Sequence, residues 1–334
     1  MKIFVTGSAG FIGGTFTYEA LKKGYEVIGC DNFVNSQRKT ILKLKELFPK
    51  SFIFYETDLK DIDGLTRIIQ TENISQVIHF AALKSIPESE KFPEKYWNNN
   101  LEGTKNLLKA MKINEVKELI FSSSASVYGQ SSEQPIKEEF QINPLSVYAK
   151  TKAESEKLIK ESALMGDINA ISLRYFNPLG AHNDLVVYEN PKTEFGNIMP
   201  KLLRIFLKID DDFSIYGNDY LTRDGTGERD YLHISDLIEG HFSALSYLKE
   251  ITDYDVFNLG TGKGVTVLEL LKTFEEASGV TIKTKMNNRR SGDVDVCYSD
   301  PTKSNKILGW KTKKSLFDMC NDSIKSIKKN INEL

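Results

Sequence analysis

Cysteine is scarce in this chain: three residues in 334, namely Cys30, Cys297 and Cys320. An odd count without a CxxC spacing excludes a disulfide framework and argues against a structural zinc site. Thiols so few suit a reducing cytoplasm. Histidine is nearly as sparse, with four residues scattered along the chain, and no metal-binding set is expected. His79, inside the apolar run VIHFAA, reads as a core residue. No apolar run reaches the roughly 18 residues that a membrane span needs, and the N-terminus has no secretory pattern and opens inside a strand-like run. Neither sign of charge dominates, 44 basic residues standing against 46 acidic ones. With no basic stripe, a nucleic acid partner is not expected. No Pro-rich linker, internal repeat or low-complexity tract interrupts the chain.

What is present suffices for a large core. Hydrophobic residues make up 40% of the sequence, and at about 150 residues per domain the length suggests two domains. Short β-branched and aromatic runs begin at Lys2, Tyr25, Phe52, Gln76, Glu118 and Asn169. Between them lie stretches such as EKYWNNNLEGTKNLLKAMK, whose apolar residues recur at intervals of three and four. That alternation predicts an α/β fold, a doubly wound parallel sheet with helices on both faces. After Phe176 it weakens, and long loops at 177–200 and 217–230 predict a second, smaller domain. The expected division is 1–177 plus 232–260 for the first domain and 178–231 plus 261–334 for the second.

The first predicted strand ends in GSAGFIG, so Gly7, Gly10 and Gly13 form a GxxGxxG turn that opens a helix. Small residues there let the backbone approach a pyrophosphate, whose charge the helix N-terminal amides can hold. Glycines that only shape a tight turn would look the same in isolation. The preceding strand, the following helix and Asp31 at the end of the second strand favour a dinucleotide. A carboxylate at Asp31 would accept from the adenosine ribose and repel a 2′-phosphate, which points to NAD rather than NADP. Asp58, after the third strand, is in reach of an adenine amino group or is an ordinary loop aspartate.

The stretch SVYAKTK places Tyr148 and Lys152 four residues apart, on one face of a predicted helix. An ammonium there would stabilise a phenolate and lower the tyrosine pKa, making Tyr148 a proton acceptor near neutral pH. The preceding strand ends in SSS, which sets Ser124 at the C-terminal sheet edge, where ligands of such folds bind. Tyr–Lys pairs at this spacing are common on helix surfaces; the dinucleotide turn and the serine-ended strand favour chemistry.

GSAGFIGG, VIHFAAL, FSSSASVYG, SVYAKTK and LRYFNPLGAH, in this order, resemble the extended short-chain dehydrogenase/reductase superfamily. FGNIMP, IYGNDYLTRDGTGERDYLHISDL, VFNLGTG and NNRRSGDVDVCYSDP extend the resemblance to the UDP-glucose (UDP-galactose) 4-epimerase family over nearly the whole chain. The resemblance implies tightly bound NAD, a UDP-sugar substrate and a 4-keto intermediate. It makes Tyr148 the base and then the acid, has Ser124 orient the hydroxyl, and lets Lys152 tune the tyrosine and hold the nicotinamide ribose.

Further roles come from the same resemblance. On the cofactor side it implies Phe11 and Ile12 in the first turn, Asn32, Asn35 and Ser36 after Asp31, and Leu59 beside Asp58. Phe80, Ala81, Ala82 and Lys84 after the fourth strand, and Asn99, Ser122 and Tyr175, complete that set. On the substrate side Arg229 and Arg290 would hold the diphosphate, where guanidinium forks suit phosphate oxygens. Asp293 would meet the ribose, Asn177 and Asn197 the diphosphate or sugar, and Tyr216 the uracil, with Ser214 and Tyr231 nearby and Lys84 reaching the sugar as well. Cys297 would line the sugar pocket, where a small residue admits a 2-N-acetyl group; UDP-GlcNAc and UDP-GalNAc are therefore expected substrates beside UDP-glucose and UDP-galactose. The helices containing Trp97 and Tyr148 correspond to those that pair subunits in the family, which implies a homodimer.

The sequence departs from the family at Ala82 and Ala149, where glycine is usual, and at Leu179, where threonine is. The 184–196 loop lacks the usual GEDPQG-like run before the asparagine of the sugar site, a change that bears on hexose preference. A 4,6-dehydratase would carry an Asp–Glu pair where Ala125 and Ser126 stand. A UDP-uronate epimerase or decarboxylase is the nearer alternative. A non-catalytic NAD-binding regulator would be expected to lack Tyr148 and Lys152.

Overall fold

The computed structural model describes residues 2–131, 133–182, 184, 186–189, 197–290 and 292–330. Strands and helices alternate from the start: β1 (Lys2–Thr6), α1 (Phe11–Lys22), β2 (Glu26–Asp31), α2 (Arg38–Leu47), β3 (Phe52–Glu56), α3 (Ile62–Glu72) and β4 (Gln76–His79). Two short helices, α4 (Ile86–Lys91) and α5 (Pro93–Tyr96), lead into a π-helical turn over Trp97–Leu101 and then α6 (Glu102–Ile113). β5 (Glu118–Ser124), α7 (Val147–Leu164) and β6 (Asn169–Tyr175) complete the alternation.

These strands join one seven-stranded sheet whose far edge is β11 (Tyr254–Leu259), in the order β11-β6-β5-β4-β1-β2-β3. The pairs β1–β2, β1–β4, β2–β3 and β4–β5 are parallel, as a doubly wound sheet requires. Strands covered on both faces read as continuous apolar runs. Phe4, Ile28, Val77, Leu119 and Phe121 accordingly form a core with Leu65 and Ile69 of α3, Leu107 and Met111 of α6, and Ile159 of α7. Each such burial contributes about 1.5–3 kcal/mol.

The chain clusters into two units: Met1–Val127, Ser146–Arg174 and His241–Phe257 in one, Tyr128–Leu145, Tyr175–Gly240 and Asn258–Leu334 in the other. Residues 128–145 thus fall in the second unit, whereas the sequence suggested the first. Hydrogen bonds explain why. Tyr128 donates its hydroxyl to Asn258 Oδ1 at 2.7 Å, and Ile136 exchanges backbone bonds with Tyr298 and Asp300 at 2.9 and 2.7 Å.

The second unit contains β7 (Asn177–Leu179), α8 (Ile198–Phe206), β8 (Phe213–Tyr216), β9 (Glu228–Arg229) and β10 (Tyr231–His233), which leads into α9 (Ile234–Tyr247). After β11 come β12 (Val265–Thr266), α10 (Val267–Ser278), β13 (Thr284–Asn287), β14 (Val296–Cys297), α11 (Thr302–Ile307) and α12 (Leu316–Lys329). Short strands pair as β10–β7, β12–β9–β14 and β13–β8. Helices α10 and α12 begin with full capping boxes, Thr266 with Glu269 and Ser315 with Asp318, which satisfy first-turn amides. Their apolar faces, through Leu270, Phe274, Met319 and Ile324, close a core with Met199, Leu202 and Ile215. Leu179, the departure from threonine, is buried in that core. A leucine there contributes packing.

Candidate active site

The glycine-rich turn is built around close approach. Gly7 has φ +72°, and a Cβ on it would lie 2.7 Å from the Ala81 amide nitrogen; only glycine combines that backbone with that proximity. A Cβ on Gly13 would collide with the Gly7 carbonyl oxygen, so this glycine lets α1 pack on the turn. Helix α1 has Gly10 as its N-cap residue, so it has no side-chain cap, and its first turn has no acidic residue. Its first amides, including those of Phe11 and Ile12, are left for an external anion.

Asp31, at the end of β2, joins this turn. Its Oδ2 accepts from the Ala9 amide at 3.1 Å, and its Oδ1 accepts from the Phe33 amide at 2.9 Å and the Ser36 hydroxyl at 2.7 Å. An ionised carboxylate has about four acceptor positions, so capacity remains for a ribose hydroxyl. The Asn32 amide donates to Asp58 at 3.0 Å, and Asn35 beside it is exposed. Burial pushes the Asp58 carboxyl up, but hydrogen bonds from the Lys60 and Asn32 amides, with the Lys60 ammonium, hold it below the ordinary carboxylate range.

Tyr148 stands in the first turn of α7. Ser146 caps that helix by accepting from the Ala149 amide at 3.1 Å, and Ser89 of α4 accepts from the Tyr148 amide at 3.1 Å. The Ser124 hydroxyl at the end of β5 is near enough to the phenol to act on its pKa, and Ser126 donates to Ser124 Oγ at 2.9 Å. One turn on, the buried Lys152 donates to the Ser122 carbonyl at 2.7 Å, its ammonium 4.8 Å from the centre of the Phe121 ring. Tyr148, Lys152, Ser124 and Ser122 are therefore brought together, as the sequence suggested. The expected direction of the tyrosine shift is not found. Burial pushes the Tyr148 phenol above its ordinary value, with Ser124 pulling it partly back. Burial also lowers the Lys152 pKa to about 7, opposed by Glu156. Loss of hydration outweighs what helix spacing alone promises.

In the second unit Arg229 lies on β9, paired in parallel register with Cys297 of β14. Its guanidinium donates to the carbonyls of Glu228 and Asp295 at 2.9 and 3.4 Å and lies 3.9 Å from Asp293. Cys297 is a buried free thiol, its pKa pushed up to about 11 by burial. A second cluster surrounds Tyr216 of β8, whose ring lies 3.7 Å from the Arg290 guanidinium carbon and 5.8 Å from the Lys201 ammonium. Hydrogen bonding from Arg290 lowers that phenol's pKa against its burial, Ser214 adding a smaller contribution. Asn177 donates its backbone amide to the Asp230 carbonyl at 2.9 Å and registers with the buried Tyr231, whose pKa burial raises to about 12. Asn197 is exposed at the start of α8, its amide 3.3 Å from Glu189. Most of the divergent 184–196 loop lies outside the described residues.

Residues 3–260 match the sequence profile of the family described as "NAD dependent epimerase/dehydratase family". The chain belongs to this family. Its cofactor is NAD, and the uncapped α1 amides, the Gly7 approach and the spare acceptor of Asp31 fit that group. A UDP-glucose 4-epimerase of Bacillus subtilis is 41% identical over 333 residues, 99% of this chain and 98% of that one. The crystal structure of a UDP-glucose 4-epimerase from Stenotrophomonas maltophila, with bound NAD and formylated UDP-arabinopyranose, is 36% identical, covers 100% of both chains and superposes with a TM-score of 0.96. Another, from Bifidobacterium longum in complex with NAD+ and UDP, is 38% identical over 100% of both chains with a TM-score of 0.94.

Several supports of this family member's site had no local signal in the sequence. Asn100, buried in the π-helical turn, grips the loop after β4: its Oδ1 accepts from the Leu83 amide at 2.8 Å and its Nδ2 donates to the Leu83 carbonyl at 3.0 Å. The same Nδ2 donates to Thr151 of α7 at 3.0 Å, so the loop carrying Phe80, Ala81, Ala82 and Lys84 is tied to the Tyr148 helix. Asn99, the neighbour singled out from the sequence, donates its amide to Asn100 Oδ1 at 3.0 Å. Asp230, between Arg229 and Tyr231, is buried and accepts from the hydroxyls of Thr261 and Ser299 at 2.6 and 2.7 Å. It anchors the strand that presents Arg229.

Proposed function

We propose that the chain is a UDP-hexose 4-epimerase that interconverts UDP-glucose and UDP-galactose, and UDP-GlcNAc and UDP-GalNAc as well. The observation that carries this reading is the buried Lys152, one turn along α7 from Tyr148, donating to the Ser122 carbonyl of β5, the strand that ends at Ser124. Full-length relatives that bear the epimerase name support the same chemistry.

Bound NAD supplies a hydride acceptor that also returns the hydride, so no second redox substrate is consumed. Tyr148 Oη takes the proton of the C4 hydroxyl as the C4–H bond breaks and gives it back to the same oxygen on reduction. Ser124 Oγ holds that oxygen in place. Lys152 offsets the cost of a buried phenolate. Inverting C4 requires the hexose to present its opposite face on the return step, which calls for a firm hold on the nucleotide and a loose one on the sugar. Arg229 and Arg290 provide the firm hold on the diphosphate, Tyr216 the side of the uracil site, and Asp293 the ribose contact. The small side chain of Cys297 leaves space for a 2-N-acetyl group.

On this reading the first domain binds NAD and the second binds the UDP-sugar, the chain forms a homodimer, and its three buried free thiols suit the cytoplasm. Purified protein, incubated with each of the four UDP-sugars without added NAD, should yield the C4 epimer of each. Tyr148→Phe should lower that turnover about 10²–10⁴-fold; a variant epimerising at the parent rate would falsify the assignment.

A further inference from the structure

Lys152 is more deeply buried than the tyrosine it serves, at 3% exposure, and loss of hydration disfavours its charge. Few groups can oppose that. From its own helix it faces Tyr148 and Glu156; from β5, the Ser122 carbonyl and the Phe121 ring; from β4, His79. His79 stays neutral, its pKa pushed down to about 3 by burial and by the charge of Lys152. The negative charge acting on Lys152 is that of Glu156, four residues along α7.

Glu156 is held for this purpose by geometry. It is 3% exposed and meets Arg174 of β6 in a two-point contact, Nε to Oε1 at 2.9 Å and Nη2 to Oε2 at 2.6 Å. Tyr254 of β11 also feels this pair, and its phenol is raised first by burial and then by Glu156. A guanidinium fork on both carboxylate oxygens fixes a rotamer more firmly than one hydrogen bond can. Tyr148, Lys152 and Glu156 follow at steps of four, so they form one stripe on α7.

We infer that Glu156, locked in place by Arg174, is a positioning residue for the acid–base step: its carboxylate holds the positive charge on the buried Lys152, and Lys152 in turn makes the Tyr148 phenolate accessible. The inference rests on the role given to Tyr148 above. It adds a third member to the helix stripe and gives a purpose to a buried ion pair that stability alone does not explain, since such pairs are often replaceable by apolar residues without loss.

The test titrates Lys152 directly. NAD-loaded protein labelled with [ε-13C]lysine is followed by NMR across neutral pH, with the Lys152 signal assigned by its loss in Lys152→Met, and kcat/KM is recorded over the same range. In Glu156→Gln the Lys152 midpoint should fall by roughly one to two pH units, as loss of a nearby unit charge is worth at an effective dielectric near 20. The alkaline limb of kcat/KM should move down with it. Because the single substitution leaves the Arg174 charge buried and unpaired, the double variant Glu156→Gln/Arg174→Gln, with neutral amides on both sides, replaces it if it does not fold; a fall in the same direction but smaller is expected, since loss of the Arg174 cation offsets part of the loss of the carboxylate. An unchanged midpoint, with turnover lowered evenly at every pH, would mean that Glu156 only supports the fold. If the parent protein epimerises no UDP-sugar, the proposed function fails, while the lysine midpoint still decides whether Glu156 holds its charge.

Discussion

Arg229 and Cys297 are register partners on the parallel strands β9 and β14. Neighbouring strands lie about 4.8 Å apart, so the side chain proposed to grip the diphosphate and the one proposed to set the width of the sugar pocket share one small sheet. Asp230, fixed by Thr261 and Ser299, holds that sheet in place. On the proposed reading, grip and selectivity would share that one small sheet.

Replacing Cys297 by tyrosine should close the pocket to the larger sugars. We expect turnover of UDP-GalNAc to fall by at least about tenfold relative to UDP-galactose, read as the ratio of kcat/KM values for the two substrates. An unaltered ratio would remove Cys297 from the specificity argument.

Arg229→Met should act on binding. Loss of a charge-assisted contact of about 1.5–3 kcal/mol raises KM for UDP-galactose roughly 10–100-fold, with a smaller effect on kcat. Competition by UDP alone should weaken in parallel; if UDP inhibits the variant as well as the parent, Arg229 does not hold the nucleotide.

Gly13→Ala places a methyl group against the Gly7 carbonyl oxygen. The turn must shift, at a cost of about 1–3 kcal/mol, and α1 no longer presents its amides to the pyrophosphate. The purified variant should release less NAD per chain on acid denaturation than the parent. A full complement would show that the turn does not cradle the cofactor.

His79 predicts an acid sensitivity of the fold. Buried between Thr6 and Thr104, at 2.7 and 3.0 Å, it has its pKa lowered from 6.5 to about 3, chiefly by burial. The unfolded chain takes up a proton near pH 6.5 and the folded one does not, so this contribution is complete above that pH and drains away as the pH falls towards 3. At about pH 5 the loss is roughly 2 kcal/mol. Urea midpoints at about pH 7.5 and 5 should differ accordingly in the parent and differ less in His79→Gln. Equal differences in both proteins would assign the effect to other groups.

The sequence by itself determined what depends on local pattern. The first six strands of the sheet and the helices between them follow from apolar runs and three-four periodicity, and Gly7, Asp31, Tyr148 and Lys152 were legible because turns and helices obey short-range spacing rules. Tertiary structure decided what depends on distant groups and on water. Asn100 tying Leu83 to Thr151, residues 128–145 stitched to Tyr298 and Asp300, and Arg174 reaching Glu156 across the fold join positions that no local pattern connects. Burial, likewise, is a property of the assembled core: helix spacing set Lys152 beside Tyr148, but exclusion of water raised the phenol and lowered the ammonium, because the cost of a charge depends on everything that surrounds it.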